Sequence, residues 1–218
     1  MSAVVRSRST ARFLAWPLTV AALTAGCATA PPRAERFVEA PVGTVTVYHR
    51  QSSGSFGTVD GPVTWRVARA EWQGKPVLAS ASPQAGTQLY EPGSHAMVAV
   101  LNPMGQPTVS YAPPIGVRWP MQVGDQWRTT HEVTLYPSMR KTSVEVNWKV
   151  EAHETITVPA GAFKTFRVTT TSSIGESETV WTAPELGLGV VKRHTVRTAS
   201  HPQGAGELRG ELVSRTLP

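Results

Sequence analysis

The sequence predicts an all-β protein, an antiparallel meander that curves into a barrel, a half-barrel or a two-layer sandwich. Three observations predict it. Runs of β-branched and aromatic residues recur between Gly/Pro turns from Gly43 to the C-terminus. One of them, residues 144–151, alternates strictly: Val144, Val146, Trp148 and Val150 fall on one face, Glu145, Asn147, Lys149 and Glu151 on the other. Beyond residue 40 no apolar period of 3.6 residues lasts three turns.

The chain opens on a different kind of segment. Arg6, Arg8 and Arg12 form a positive stretch without an acid, residues 13–22 are apolar, and small residues lead to Cys27. That is the layout of an export signal, to be set apart from the fold. Its apolar run is short of the ~20 residues that span a bilayer and contains Pro17. Leu23-Thr24-Ala25-Gly26-Cys27 resembles the lipobox of bacterial lipoproteins, with Thr24 where leucine is usual. The resemblance implies a signal peptide over residues 1–26, a diacylglycerol thioether on Cys27, and a membrane partner reached through that lipid. Two or three acyl chains hold where one would not. Lipidation also accounts for the lone cysteine of an exported chain. Ala28, not Asp, follows the cysteine, which by analogy with enterobacterial sorting implies the outer membrane, facing the periplasm.

The rest of the chain reads in order. Residues 27–40 suit a lipidated terminus and short tether, and residues 41–218 one β-rich domain with a subdivision allowed near 112–114. Strands are expected over 44–48, 63–71, 96–101 and 108–111, with a turn-rich stretch at 52–57 and a hairpin turn at Asn102-Pro103-Met104-Gly105. Further strands follow over 144–151, 155–158, 163–170, 178–181, 189–199 and 207–216. Pro159, with its fixed φ, and Gly161 make a tight turn, and Pro184 and Gly187 mark a bend.

Several pieces of the second half go together. They are Gly124-Asp125-Gln126-Trp127, then Val158-Pro159-Ala160-Gly161-Ala162-Phe163, then Val180-Trp181-Thr182-Ala183-Pro184-Glu185-Leu186-Gly187, then Val191-Lys192. In this order they resemble the DUF3108-like group of bacterial secreted and lipid-anchored β-rich proteins, over residues 115–217. One departure is Thr182, where the group usually has Tyr. The resemblance implies a β-rich fold and an envelope location, and no particular activity.

Chemistry is sparse. The histidines at 49, 95, 131, 153, 194 and 201 have no metal-site spacing, no serine sits in a Gly-x-Ser-x-Gly elbow, and Gly187-Leu188-Gly189 falls short of a phosphate loop. The reading is therefore a non-enzymatic protein with no catalytic residue, metal or cofactor. Removing the three signal arginines leaves 18 basic against 15 acidic side chains, so no electrostatic case for nucleic acid exists. Six tryptophans remain, and curved sheets can hold an apolar ligand. Trp127, Trp148, Phe166 and Trp181 are the candidates to line either a lipid-binding cavity or a filled core. A structural or protein-interaction module of the envelope, with a protein partner, is the leading expectation; a carrier or sensor of a lipid or acyl chain is the alternative.

Overall fold

A computed structural model describes residues 30–218. The signal segment and Cys27 lie outside the described residues. Residues Pro31–Pro218 make one compact unit. Twelve strands close into an antiparallel barrel: β2 (Val45–Gly54), β3 (Val59–Trp72), β4 (Lys75–Ser82), β5 (Gly86–Tyr90), β6 (Met97–Leu101), β7 (Pro107–Ile115), β9 (Gln126–Leu135), β10 (Arg140–Val158), β11 (Gly161–Ser172), β12 (Glu176–Ala183), β13 (Leu188–Arg197) and β14 (Gly206–Thr216). Each pairs with its successor, and β14 returns to β2 to complete the ring. Closure removes the sheet edges that an open meander would expose. The predicted meander is thus a barrel. Apart from the ring's hydrogen-bonding ladder, β1 (Arg33–Ala34) pairs with β8 (Met121–Gln122).

Alternation along the strands sorts the two faces. Thr46 stands opposite Trp65, Tyr48 opposite Val63, Trp148 opposite Trp127, and Val150 opposite Val168, all turned inward. Over β9, β10, β13 and β14 the outer face is charged and tied by cross-strand pairs, Lys192 to Glu211, Arg128 to Glu145 and Lys141 to Glu132 among them. Over β3–β6 the same outer face is apolar, with Val77, Ala79, Leu89 and Ala99 packed beside Ala68 and Ala70. Among the described residues no helix is long and apolar enough to cross a membrane.

An eight-stranded barrel is just wide enough for side chains to fill. Twelve strands enclose more, and the protein fills the surplus unevenly. On one side, Val150, Phe166 and Val168 pack with Ala34 and Met121 from the β1–β8 pair, backed by Trp127 and Trp148. Beside it Val133, Val144 and Val146 pack with Tyr111 and Leu135. A third cluster of Val158, Leu188, Val191 and Leu212 floors one end.

Several strands differ from the sequence reading. β4 and β5 were not expected: Ala, Ser and Pro76 dominate β4, which therefore lacks the β-branched signature, and β5 is five residues long. The expected break near residue 152 is a bulge within a continuous β10, with Glu151 as the extra residue. β7 runs through 112–114, where a subdivision was allowed. Residues 33–40, read with the tether, lie within the compact unit. Ala34 and Phe37 are buried, and the Val38 N–H donates to Pro184 O at 2.9 Å.

Candidate ligand-binding cavity

Inside the barrel, on the side away from the Trp127–Trp148 cluster, a cavity of about 210 Å³ lies between β2, β3, β4, β5, β13 and β14. Its apolar wall is Val63, Trp65, Val67 and Leu78, with Tyr48 and Tyr90. The strands put them there by parity, since each is an inward position of its strand.

The tyrosines are fixed at their hydroxyls. Tyr48 donates to Val190 O at 2.7 Å, and Tyr90 donates to Gln88 Oε1 at 2.6 Å. Burial pushes the Tyr48 phenol up to about 12 and that of Tyr90 further. Both stay neutral hydrogen-bonding groups.

The charged residues of the wall are arginines. Arg193 Nη2 lies 2.6 Å from Glu178 Oε1, which also accepts from Thr195 Oγ1 at 2.9 Å. Burial works against the Arg193 charge, but the Glu178 carboxylate outweighs it and holds the guanidinium above its ordinary range. Arg193 Nε is buried without a partner. Arg50 donates from Nη2 to Phe56 O at 2.9 Å and from Nε to Ser52 Oγ at 3.3 Å. Among the described residues no carboxylate stands within ion-pairing distance of Arg50, and burial with the neighbouring Arg193 charge pushes its guanidinium down. Arg209 belongs to the same wall by its position in β14, but its side chain is on the outer face, 61% exposed and paired with Glu207 at 2.7 Å. No carboxylate side chain lines the cavity among the described residues. Deeper along the barrel, Arg197 Nε pairs with Glu176 Oε2 at 2.7 Å and its guanidinium lies 3.9 Å from the Phe56 ring centre.

The other end is closed by residues 31–44, which form a strap. Phe37 stacks on His95 at 4.0 Å between ring centres, and His95 stacks on Tyr90 at 4.2 Å, with interplanar angles of 11° and 7°. Burial lowers the His95 pKa to about 4, so the ring is neutral. A Cβ on Gly189 would stand 2.2 Å from His95 Nε2, so only glycine admits the ring. Beyond the stack, the Gly93 N–H donates to Glu39 Oε1, and Gly43 N–H donates to Val67 O at 2.8 Å to enter the barrel wall.

The residues singled out in the sequence fall elsewhere. Trp127 and Trp148 stack at 5.5 Å, Trp148 Nε1 donates to Thr129 Oγ1 at 2.9 Å, and Phe166 is 3% exposed in the same cluster. Trp181 faces the opposite side of the wall, donating to Glu154 Oε1 at 2.9 Å with Lys192 over its ring. None of the four lines the cavity. Pro159 and Gly161 do join β10 to β11, with Gly161 at φ +124°. Pro184 opens a 3₁₀ turn (Pro184–Leu186) that Gly187 ends in the left-handed region at φ +66°. The same stretch seats the strap: a Cβ on Gly187 would reach Val38 O at 2.7 Å and Ala40 N at 2.9 Å. Among the described residues no cluster of three His, Cys, Asp or Glu could hold a metal. His131, for one, is engaged with Pro113 O and Thr129 Oγ1, both at 2.8 Å.

Tyr48, Arg50, Trp65, Tyr90, His95 and Arg193 were not legible as a group. One signal was present. Glu176 and Glu178 precede, across one tight hairpin, Arg193 and Arg197, and an inward-facing pairing of these four follows once β12 and β13 are aligned.

No family model and no curated protein matches the chain. Solved structures do resemble it in fold. A Bacteroides fragilis protein with a YmcC-like fold, provisionally described as exported, has a TM-score of 0.45 at 14% identity, covering 84% of this chain and 100% of its own. A Parabacteroides distasonis protein, provisionally described as a lipoprotein, gives 0.38 at 13%, covering 83% and 99%. The Escherichia coli hypothetical lipoprotein YmcC gives 0.44 at 10%, covering 81% and 86%. Likenesses this remote carry no activity, ligand or location to this chain.

Proposed function

We propose that the chain is a ligand-binding β-barrel of the bacterial envelope, exported, held by lipid at Cys27 and not an enzyme. The signal layout and lipobox support the export and the anchor. On the outer membrane, facing the periplasm, the charged outer wall would stand in water. The observation that carries the ligand reading is the cavity: the barrel keeps about 210 Å³ open between Tyr48, Val63, Trp65, Leu78 and Tyr90, while clusters of packed side chains fill the interior beside it. A cavity of about 150 Å³ holds benzene, so this one has room for about eight non-hydrogen atoms. The occupant is then a single short chain or ring, not a two-chain lipid.

The test is calorimetric titration of the domain, with Cys27→Ser, against 1-octanol, a neutral chain of about that size. Saturable binding that Val63→Phe abolishes by filling the space is the expected result. No binding, or binding that survives Val63→Phe, overturns the reading.

A protein partner is the second reading. Met104 (78% exposed) and Met139 (57% exposed) cap hairpins that lie side by side, since β7 begins where β9 ends and Tyr136 N–H donates to Thr108 O. Photocrosslinking in the envelope from position 104, and not from His49 on the outer wall, is what this reading requires.

A further inference from the structure

We infer that the ligand carries one anionic end, seated at Arg50 and Arg193, with its apolar remainder against Val63, Val67, Trp65 and Leu78. The inference rests on the ligand-binding reading and names the chemistry it left open. Three observations converge on it.

The first is charge balance. Around the cavity, Glu178 answers Arg193, but among the described residues no carboxylate answers Arg50. Arg50 is half-buried, so its unpaired charge is partly desolvated, and an anion supplies the missing partner. The second is the donor inventory. A guanidinium has five N–H donors. Arg193 spends one on Glu178 and keeps Nε buried without an acceptor, while Arg50 bonds only a carbonyl and a hydroxyl at its own turn. Guanidiniums are suited to carboxylates and other planar or tetrahedral anions because their donors lie in a fixed fork. The third is the division of the wall. The arginines stand at one side, the strap residue Phe37 and neutral His95 at the other, and aliphatic and indole surface lies between. That arrangement matches a molecule polar at one end only.

Octanoate is close to the size and has the polarity, and 1-octanol and octylammonium are its neutral and cationic counterparts. Titrations of all three into the Cys27→Ser domain should rank octanoate at least tenfold tighter than octanol, with octylammonium weakest. Arg50→Gln should bring octanoate down to the octanol level, and Arg50→Lys should restore part of the difference. Arg50 is the residue to change, because removing Arg193 would strand Glu178. Equal binding of octanoate and octanol, both lost in Val63→Phe, would overturn the anionic end and leave the cavity reading standing. Binding of none of the three would sink the cavity reading itself. An octanoate preference that persists in Arg50→Gln would also overturn the assignment.

Discussion

Replacing Gly189 by alanine adds one methyl group, and the surroundings dictate its cost. The new Cβ would lie 2.2 Å from His95 Nε2, 2.8 Å from Cδ2 and 3.3 Å from Cε1. Ordinary contacts begin near 3.4 Å, so the ring must retreat by more than an ångström. Its faces are held by Phe37 and Tyr90 at 4.0 and 4.2 Å, so retreat means unstacking the strap. Overpacking of this kind costs about 1–3 kcal/mol. Gly189 is not in the left-handed region, so the backbone itself accepts alanine; at an unhindered site the change would stabilise by about 0.4–1 kcal/mol. The sign therefore separates the two accounts. Urea unfolding of Gly189→Ala should show a loss of about 1–3 kcal/mol, and hydrogen exchange should rise at residues 37–40. In a His95→Ala background the same methyl should cost nothing, a coupling that a double-mutant cycle reads directly. Gly189→Ala as stable as the parent protein, or equally costly without the His95 ring, would refute the packing of His95 over Gly189.

Other perturbations follow from the same contacts. The His95 pKa lies near 4 in the folded barrel against 6.5 when free, so between those values the unfolded chain takes up a proton that the folded one refuses. Stability should fall as pH drops from about 6.5 to 4, by at most roughly 3 kcal/mol, and His95→Phe should flatten that slope; an unchanged slope would contradict it. Met121, fully buried between the strap and β10–β11, should cost about 2–5 kcal/mol as Met121→Ala, read by thermal or urea unfolding. Arg193→Met leaves the half-buried Glu178 without its partner and should cost about 1–3 kcal/mol, with recovery when Glu178→Gln is added; additive losses would argue against the pair.

The strand alternation was legible because it records burial on one face only. In β10, Val144, Val146, Trp148 and Val150 stood out against charged neighbours, and the strand is where the pattern put it. β4 was not legible, since Ala79 and Ser80 serve both faces of a wall without the bulk that marks a strand. The turns at Pro159-Gly161 and Pro184-Gly187 read correctly as local geometry. Their second use did not: that Gly187 makes room for Val38 and Ala40, and Gly189 for His95, depends on residues far earlier in the chain. The cavity escaped for a related reason. Counting tryptophans pointed to Trp127 and Trp148, but whether an aromatic side chain fills space or borders it depends on what is inserted beside it. Here the β1–β8 pair is inserted beside those two, and nothing comparable lies beside Trp65.

The ligand's seat can be located directly. Intermolecular nuclear Overhauser effects between bound octanoate and the isotope-labelled domain should connect the methyl and methylene protons to Val63, Trp65 and Leu78, with the carboxylate end nearest Arg50. Contacts confined to the outer wall or to Met104 and Met139, or none at saturating octanoate, would contradict a barrel whose interior is its binding site.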